Sequence, residues 1–120
     1  MLDHVGLEVS DLERSARFYD AVLHPLGVRR IHASERAVAW GVDGPQLWIT
    51  QRRRPAPGYG HVAVRARGKA AVDAAHAAGL ATGGRNDGPP GPRPNYGPRY
   101  YAGYLLDPDG LRIEIVSAGD

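Results

Sequence analysis

Short runs in which apolar and polar residues alternate mark the strands of this chain, and two of these runs are alike. Residues 4–9 read HVGLEV and residues 61–66 read HVAVRA. Strict alternation is typical of a strand with one buried face. Because the same run opens both halves of the chain, the pattern predicts an internal repeat of two similar modules.

A helix is predicted after each opening strand, because the apolar residues then recur at helical spacing. In the first half, Ser10 and Glu13 have the spacing of a capping box, and Pro25 ends the helix. In the second half, residues 69–78 are rich in alanine and Gly79 is the expected C-terminal stop. The predicted buried side of the first helix consists of Leu12, Ser15, Ala16, Tyr19, Val22 and Leu23.

Three strands are predicted after each helix. They cover 29–32, 37–41 and 46–50 in the first half, then a weak strand at 81–84 followed by 100–106 and 111–117. The last two are joined by Asp107-Pro108-Asp109-Gly110, and Asp-Gly is a strong hairpin signal. The expected fold class is therefore α+β, with two βαβββ modules forming a curved mixed sheet and the helices on its outer face.

The expected organisation is a single domain over 1–120, with module one at about 1–52 and module two at about 59–118. A polar linker at 51–58 separates the modules. A second irregular segment, 86–98, is so rich in Pro and Gly that helix and central strand are excluded. Its part 88–98 is predicted to border a cavity as a mobile flap, since long loops in small domains are often functional.

Composition narrows the chemistry. The chain has no cysteine, so any metal must be held by His, Asp or Glu. A net charge of +2 does not indicate a nucleic-acid binder. The first residues are too short and polar for a signal peptide, and no apolar run has membrane-spanning length. We therefore expect a cytoplasmic protein without nucleic-acid or membrane partners.

Three residues with metal-binding side chains share one face of the predicted sheet. Alternation places His4, His61 and Glu114 opposite the apolar side chains of their strands. Two imidazoles and one carboxylate form a facial triad that leaves positions open for water and substrate. The alternative is structural: each histidine bonds to the backbone, and Glu114 pairs with an arginine.

The repeat also identifies a fourth position on this face. Trp48 and Glu114 each lie four residues past a turn glycine, Gly44 and Gly110. Trp48 therefore stands where the repeat would place a second carboxylate. Because its indole can only donate a hydrogen bond, we expect it to form a wall of the pocket rather than a ligand.

Residues 4–19, 60–64 and 106–114 resemble the vicinal oxygen chelate superfamily, which includes glyoxalase I, fosfomycin- and bleomycin-resistance proteins and extradiol dioxygenases. The resemblance implies that His4, His61 and Glu114 bind a divalent ion (Fe, Mn, Ni, Co or Zn), with Glu114 also catalytic. Trp48 replaces a glutamate ligand of glyoxalase I, which argues against lactoylglutathione lyase activity.

The function expected from this resemblance is a metal-dependent lyase, dioxygenase or transferase acting on a small oxygen-chelating substrate. The alternative is a metal-free protein that binds a drug or antibiotic in the same cavity. A homodimer is expected, and the triad forms either within one chain or across a two-fold interface. The residues predicted to bind the substrate, which is expected to be anionic, are Trp48, Arg65, Tyr96, Tyr101, Tyr104 and Arg112.

Overall fold

The computed structural model describes residues 2–54 and 60–119, so the linker residues 55–58 lie outside the described residues. The first half contains β1 (Val5–Val9), α1 (Leu12–Leu23), a 3-10 turn (His24–Leu26), β2 (Arg29–Ala33), β3 (Ala37–Gly41) and β4 (Leu47–Gln51). The second half contains β5 (His61–Arg65), α2 (Lys69–Leu80), β6 (Arg85–Pro92), β7 (Tyr101–Leu106) and β8 (Arg112–Ser117).

The strands form two four-stranded sheets, in the orders β1-β4-β3-β2 and β5-β8-β7-β6. In each sheet the opening strand runs parallel to the last strand, and the other pairs are antiparallel. The predicted α+β class with a repeated βαβββ order is confirmed. Each module contributes one mixed sheet, and among the described residues the opening strands β1 and β5 each lie at the edge of their sheet.

The two halves share one hydrophobic core. Helix α1 packs against its own sheet and against α2, which in turn packs against β6, β7 and β8. The predicted buried side of α1 is confirmed at all six positions, and Phe18 is buried as well. Among the described residues, no helix is long and apolar enough to cross a membrane.

The N-terminus of α1 differs from the predicted capping box. Asp11 is the N-cap, and its carboxylate accepts a hydrogen bond from the Arg14 backbone N–H at 3.0 Å. Ser10 instead donates from its backbone N–H and its hydroxyl to the carboxylate of Asp109, at 3.1 and 2.6 Å. The predicted cap is lost because the turn of the second half offers Ser10 a charged acceptor.

Helix α2 continues past its predicted end because Gly79 is needed inside it. A Cβ on Gly79 would lie 2.4 Å from Leu105 Cδ1 and 3.0 Å from Val22 Cγ2. The glycine therefore permits close packing of α2 on β7 and α1, and the helix extends to Leu80. The predicted weak strand at 81–84 is wrong, since these residues form the turn that follows the helix.

Strand β6 runs instead through part of the Pro- and Gly-rich segment. It pairs only with β7, with register shifts between Asn86 and Gly88 and between Gly88 and Gly91. Prolines are tolerated here because an edge strand leaves one row of backbone groups unpaired. The exclusion of a central strand is confirmed, although the segment begins as an edge strand rather than as a loop.

The turn between β7 and β8 is tied to α1 by a buried carboxylate. Asp107 Oδ1 accepts from the backbone N–H groups of Asp109 and Leu111, at 2.9 and 2.8 Å. Its Oδ2 accepts from the Tyr19 hydroxyl at 2.7 Å. Burial raises the pKa of Asp107, although these hydrogen bonds oppose the shift. Burial and the neighbouring carboxylate raise the pKa of Tyr19 as well.

Candidate functional site

His61 and Glu114 lie side by side on neighbouring strands. Ala63 of β5 is the pairing partner of Glu114 on β8, and the two-residue alternation places His61 on the same face. His61 Nε2 lies 3.1 Å from Glu114 Oε1. The Glu114 side chain is only 4% exposed, whereas that of His61 is 42% exposed. The pair therefore combines a shielded carboxylate with an imidazole that solvent and ligands can reach.

The second carboxylate oxygen of Glu114 is held by a tyrosine. The hydroxyl of Tyr100 donates to Glu114 Oε2 at 2.5 Å. This hydrogen bond, followed by burial, raises the pKa of Tyr100 to about 12. The phenol therefore stays protonated at neutral pH and fixes the orientation of the carboxylate.

Both side chains border a cavity of about 480 Å³ on the face of β7 and β8 opposite the helices. Three of the predicted substrate-binding residues, Tyr96, Tyr104 and Arg112, line it together with the predicted ligands His61 and Glu114. The segment 88–98 contributes to its rim, as expected. The remaining lining residues are Asp87, Gly88, Arg93 and Tyr100.

Tyr101 does not line this cavity. Its hydroxyl donates to Asp73 Oδ1 on α2 at 2.6 Å, which places it on the helix side of the sheet. Strand alternation assigns Tyr104 to one face of β7 and Tyr101 to the other, and Tyr100, directly before the strand, has the parity of Tyr104. The tyrosine whose hydroxyl donates to Glu114 is Tyr100, and strand parity is the sequence signal that distinguishes it from Tyr101.

A family model for the Glyoxalase/Bleomycin resistance protein/Dioxygenase superfamily matches residues 1–115. The chain belongs to this superfamily. A solved structure of a glyoxalase/bleomycin resistance protein from Albidiferax ferrireducens T118 is 34% identical, with 97% of each chain covered and a TM-score of 0.84. The fosfomycin resistance protein FosX from Mesorhizobium loti is 25% identical, with 100% of this chain and 92% of that one covered and a TM-score of 0.72.

A curated relative has almost the same length. The protein YqjT of Bacillus subtilis (strain 168) is 30% identical over 128 aligned positions, which cover 97% of this chain and 98% of that protein. This match, like that of the family model, therefore extends over both modules rather than one.

The other sheet of this glyoxalase-type chain carries the counterpart of the His61–Glu114 pair. Trp48 pairs with Gly6, just as Glu114 pairs with Ala63, so the predicted equivalence of Trp48 and Glu114 is confirmed. The ring centroids of His4 and Trp48 are 6.5 Å apart, and those of His32 and Trp48 are 5.1 Å apart. An aromatic surface thus stands where the second module has a carboxylate.

The three predicted ligands are divided between two places in one chain. His4 Nδ1 lies 2.7 Å from Asp3 Oδ1, and the His4 side chain is 54% exposed. Neither His4 nor Trp48 is among the residues that line the cavity of His61 and Glu114. Within 2–54 and 60–119, no three His, Asp or Glu side chains are grouped closely enough to hold a metal ion.

Two further residues lie outside the cavity of His61 and Glu114. Arg65 borders a separate groove beside the apolar side chains of β5, rather than the cavity. His76 of α2 is buried, and its Nε2 lies 3.1 Å from both Asn86 Oδ1 and the Tyr104 carbonyl oxygen. It therefore supports the back of β7 from the helix side.

Proposed function

We propose that this protein is a small metal-dependent enzyme whose ion-binding site is shared by two copies of the chain. His61 and Glu114 of one copy and His4 of the second would supply the three ligands. The observation that carries the proposal is the convergence of the His61 imidazole and the Glu114 carboxylate, 3.1 Å apart, at a cavity.

The donor set fits part of a metal site. One imidazole nitrogen and one carboxylate oxygen suit Fe²⁺, Mn²⁺, Co²⁺, Ni²⁺ and Zn²⁺. Two protein ligands are too few for a typical catalytic site, which has three. His4 is an exposed imidazole directly before β1, and both β1 and β5 have an unpaired edge among the described residues. A homodimer that brings these edges together would complete the triad.

The residues of the cavity have separable roles in this proposal. A bound divalent ion would polarise substrate oxygens or activate water. Glu114 would offset part of the ion's charge through Oε1, while Tyr100 restrains Oε2. Tyr104 and Arg112 would form the wall against which the substrate lies. Since FosX is a fosfomycin resistance protein, fosfomycin is one small oxygen-rich compound to test as a substrate.

A metal-free binding protein is the second candidate, and one observation favours it. Both oxygens of Glu114 already have partners in the chain, because His61 lies at Oε1 and Tyr100 donates to Oε2. A carboxylate satisfied in this way is stable without an ion. In that case the cavity would bind a drug or antibiotic and leave it unchanged.

Titration of metal-free protein separates the two candidates. The protein is titrated with Mn²⁺, Ni²⁺ or Zn²⁺, and binding is measured by calorimetry. The enzyme proposal predicts uptake of one ion per chain. His4→Ala and His61→Ala should both abolish this uptake, whereas His24→Ala, which removes an exposed histidine next to α1, should not. Absence of uptake by the wild type would support the binding protein instead.

Trp48→Glu should tighten metal binding. If the second copy brings Trp48 to the site together with His4, the new carboxylate adds a fourth ligand, and we expect an affinity gain of about tenfold or more, equivalent to 1.4 kcal/mol. Trp48 is only half-buried, so the fold should tolerate the change. Trp48→Gln is the matched control, because glutamine has nearly the shape of glutamate but carries no charge. Equal affinities of the Glu and Gln variants would place Trp48 away from the ion.

A further inference from the structure

Two guanidinium groups face the ring of Tyr104 in the cavity, and they differ in how their charge is compensated. Arg112 lies 4.2 Å from the ring centroid, and its Nε donates to Asp87 Oδ2 at 2.7 Å. Arg93 lies 5.6 Å from the same centroid. In the described ranges, no Asp or Glu lies within ion-pair distance of Arg93.

Arg93 is nevertheless held in a defined position. One of its terminal nitrogens donates to the Pro89 carbonyl oxygen at 2.7 Å, and the other donates to the Pro92 carbonyl oxygen at 3.3 Å. These acceptors are neutral, so they orient the guanidinium without cancelling its charge. Because a guanidinium has five N–H donors, these two bonds leave donors for a ligand.

The surroundings of Arg93 set limits on the ligand. The rings of Tyr96 and Tyr100, with centroids 5.4 Å apart, form an aromatic wall of the same cavity. Of the two arginines that line the cavity, Arg112 is paired with the carboxylate of Asp87. Arg93 is therefore the arginine whose charge is left for a ligand. A half-buried guanidinium binds planar or tetrahedral oxyanions with charge-assisted hydrogen bonds.

We propose that Arg93 anchors an oxyanion group of the substrate, so that the substrate class is small organic phosphonates, phosphate esters or carboxylates. Its role in turnover rests on the proposed function, because the remainder of the ligand would extend toward His61 and Glu114. The binding step itself needs only the cavity, so it can be tested without metal.

The test is an NMR titration of chelator-treated protein with phenylphosphonate and with benzoate, and benzyl alcohol serves as the neutral probe. We expect saturable binding of at least one anion, with a shift of the Arg93 Nε–H signal, and weaker binding of the alcohol. Whichever of phenylphosphonate and benzoate binds more tightly identifies the kind of oxyanion that the cavity prefers. Arg93→Gln should weaken anion binding by about tenfold or more, the loss typical of one charged hydrogen bond.

Arg85→Gln is the matched control, because Arg85 is an exposed arginine at the other end of β6 and does not line the cavity. It should leave anion binding unchanged, and Arg93→Lys, which keeps the charge, should retain part of the affinity. Equal anion binding by wild type and Arg93→Gln, or no anion binding by the wild type, would overturn the inference. Loss of anion binding in Arg93→Gln without any metal uptake by the wild type would overturn only the enzyme proposal.

Discussion

Glu114→Gln is expected to weaken divalent metal binding by at least the 10- to 100-fold that is typical of lost outer-shell contacts, and to abolish turnover. The variant keeps the volume of the side chain but removes the negative charge that offsets the ion. The fold should persist, because the neighbouring side chains of Ile113 and Ile115 still fill the core. Calorimetric titration with Mn²⁺, Ni²⁺ and Zn²⁺ measures the loss.

Glu35→Gln is the control for this change, since Glu35 is exposed in the turn between β2 and β3. It removes the same charge and should leave metal affinity unchanged. If Glu114 is only a structural partner of His61 and Tyr100, Glu114→Gln should lower the free energy of unfolding by about 1 kcal/mol and leave metal binding unchanged. Equal uptake by Glu114→Gln and wild type would therefore contradict the assignment of Glu114 as a ligand.

Asp107→Ala is expected to lower the free energy of unfolding by about 3 kcal/mol or more. The carboxylate accepts three hydrogen bonds, from the Tyr19 hydroxyl and from two backbone N–H groups of the turn. Tyr19 is fully buried, so its hydroxyl cannot turn to water, and each buried donor left unsatisfied costs about 1–3 kcal/mol. Urea denaturation measures the change.

The chain offers a matched control for this second prediction. Asp73 accepts from the Tyr101 hydroxyl at 2.6 Å, in an Asp–Tyr pair of the same chemistry but with an exposed carboxylate. Asp73→Ala should cost about 1 kcal/mol or less, because water replaces the lost partner. Similar losses in the two variants would mean that the buried network at the turn adds nothing special to stability.

The repeat and the strand alternation predicted much of the fold and half of the site. They placed His61 and Glu114 on one face and matched Trp48 to Glu114. Both predictions depend only on local periodicity and on the parallel pairing of the first and last strands of each module. The buried side of α1 followed from helical spacing in the same way.

Other features depend on contacts between distant segments, which local patterns do not encode. Ser10 looked like a helix cap until Asp109 of the second half was available as its acceptor. Gly79 looked like a helix end, although the packing of Leu105 and Val22 against it decides its role. The separation of His4 from His61 follows from how the two modules pack through α1 and α2, and no single segment specifies that packing.

Mixing two inactive variants tests most directly whether the metal site is built from two chains. His4→Ala and His61→Ala should each bind no metal alone. After unfolding and refolding together at equal amounts, half of the dimers would be mixed, and each would carry one site with both histidines intact. If the site is shared, the mixture should recover about a quarter of the wild-type metal uptake. No recovery, with both variants folded and dimeric, would contradict a site shared between two chains.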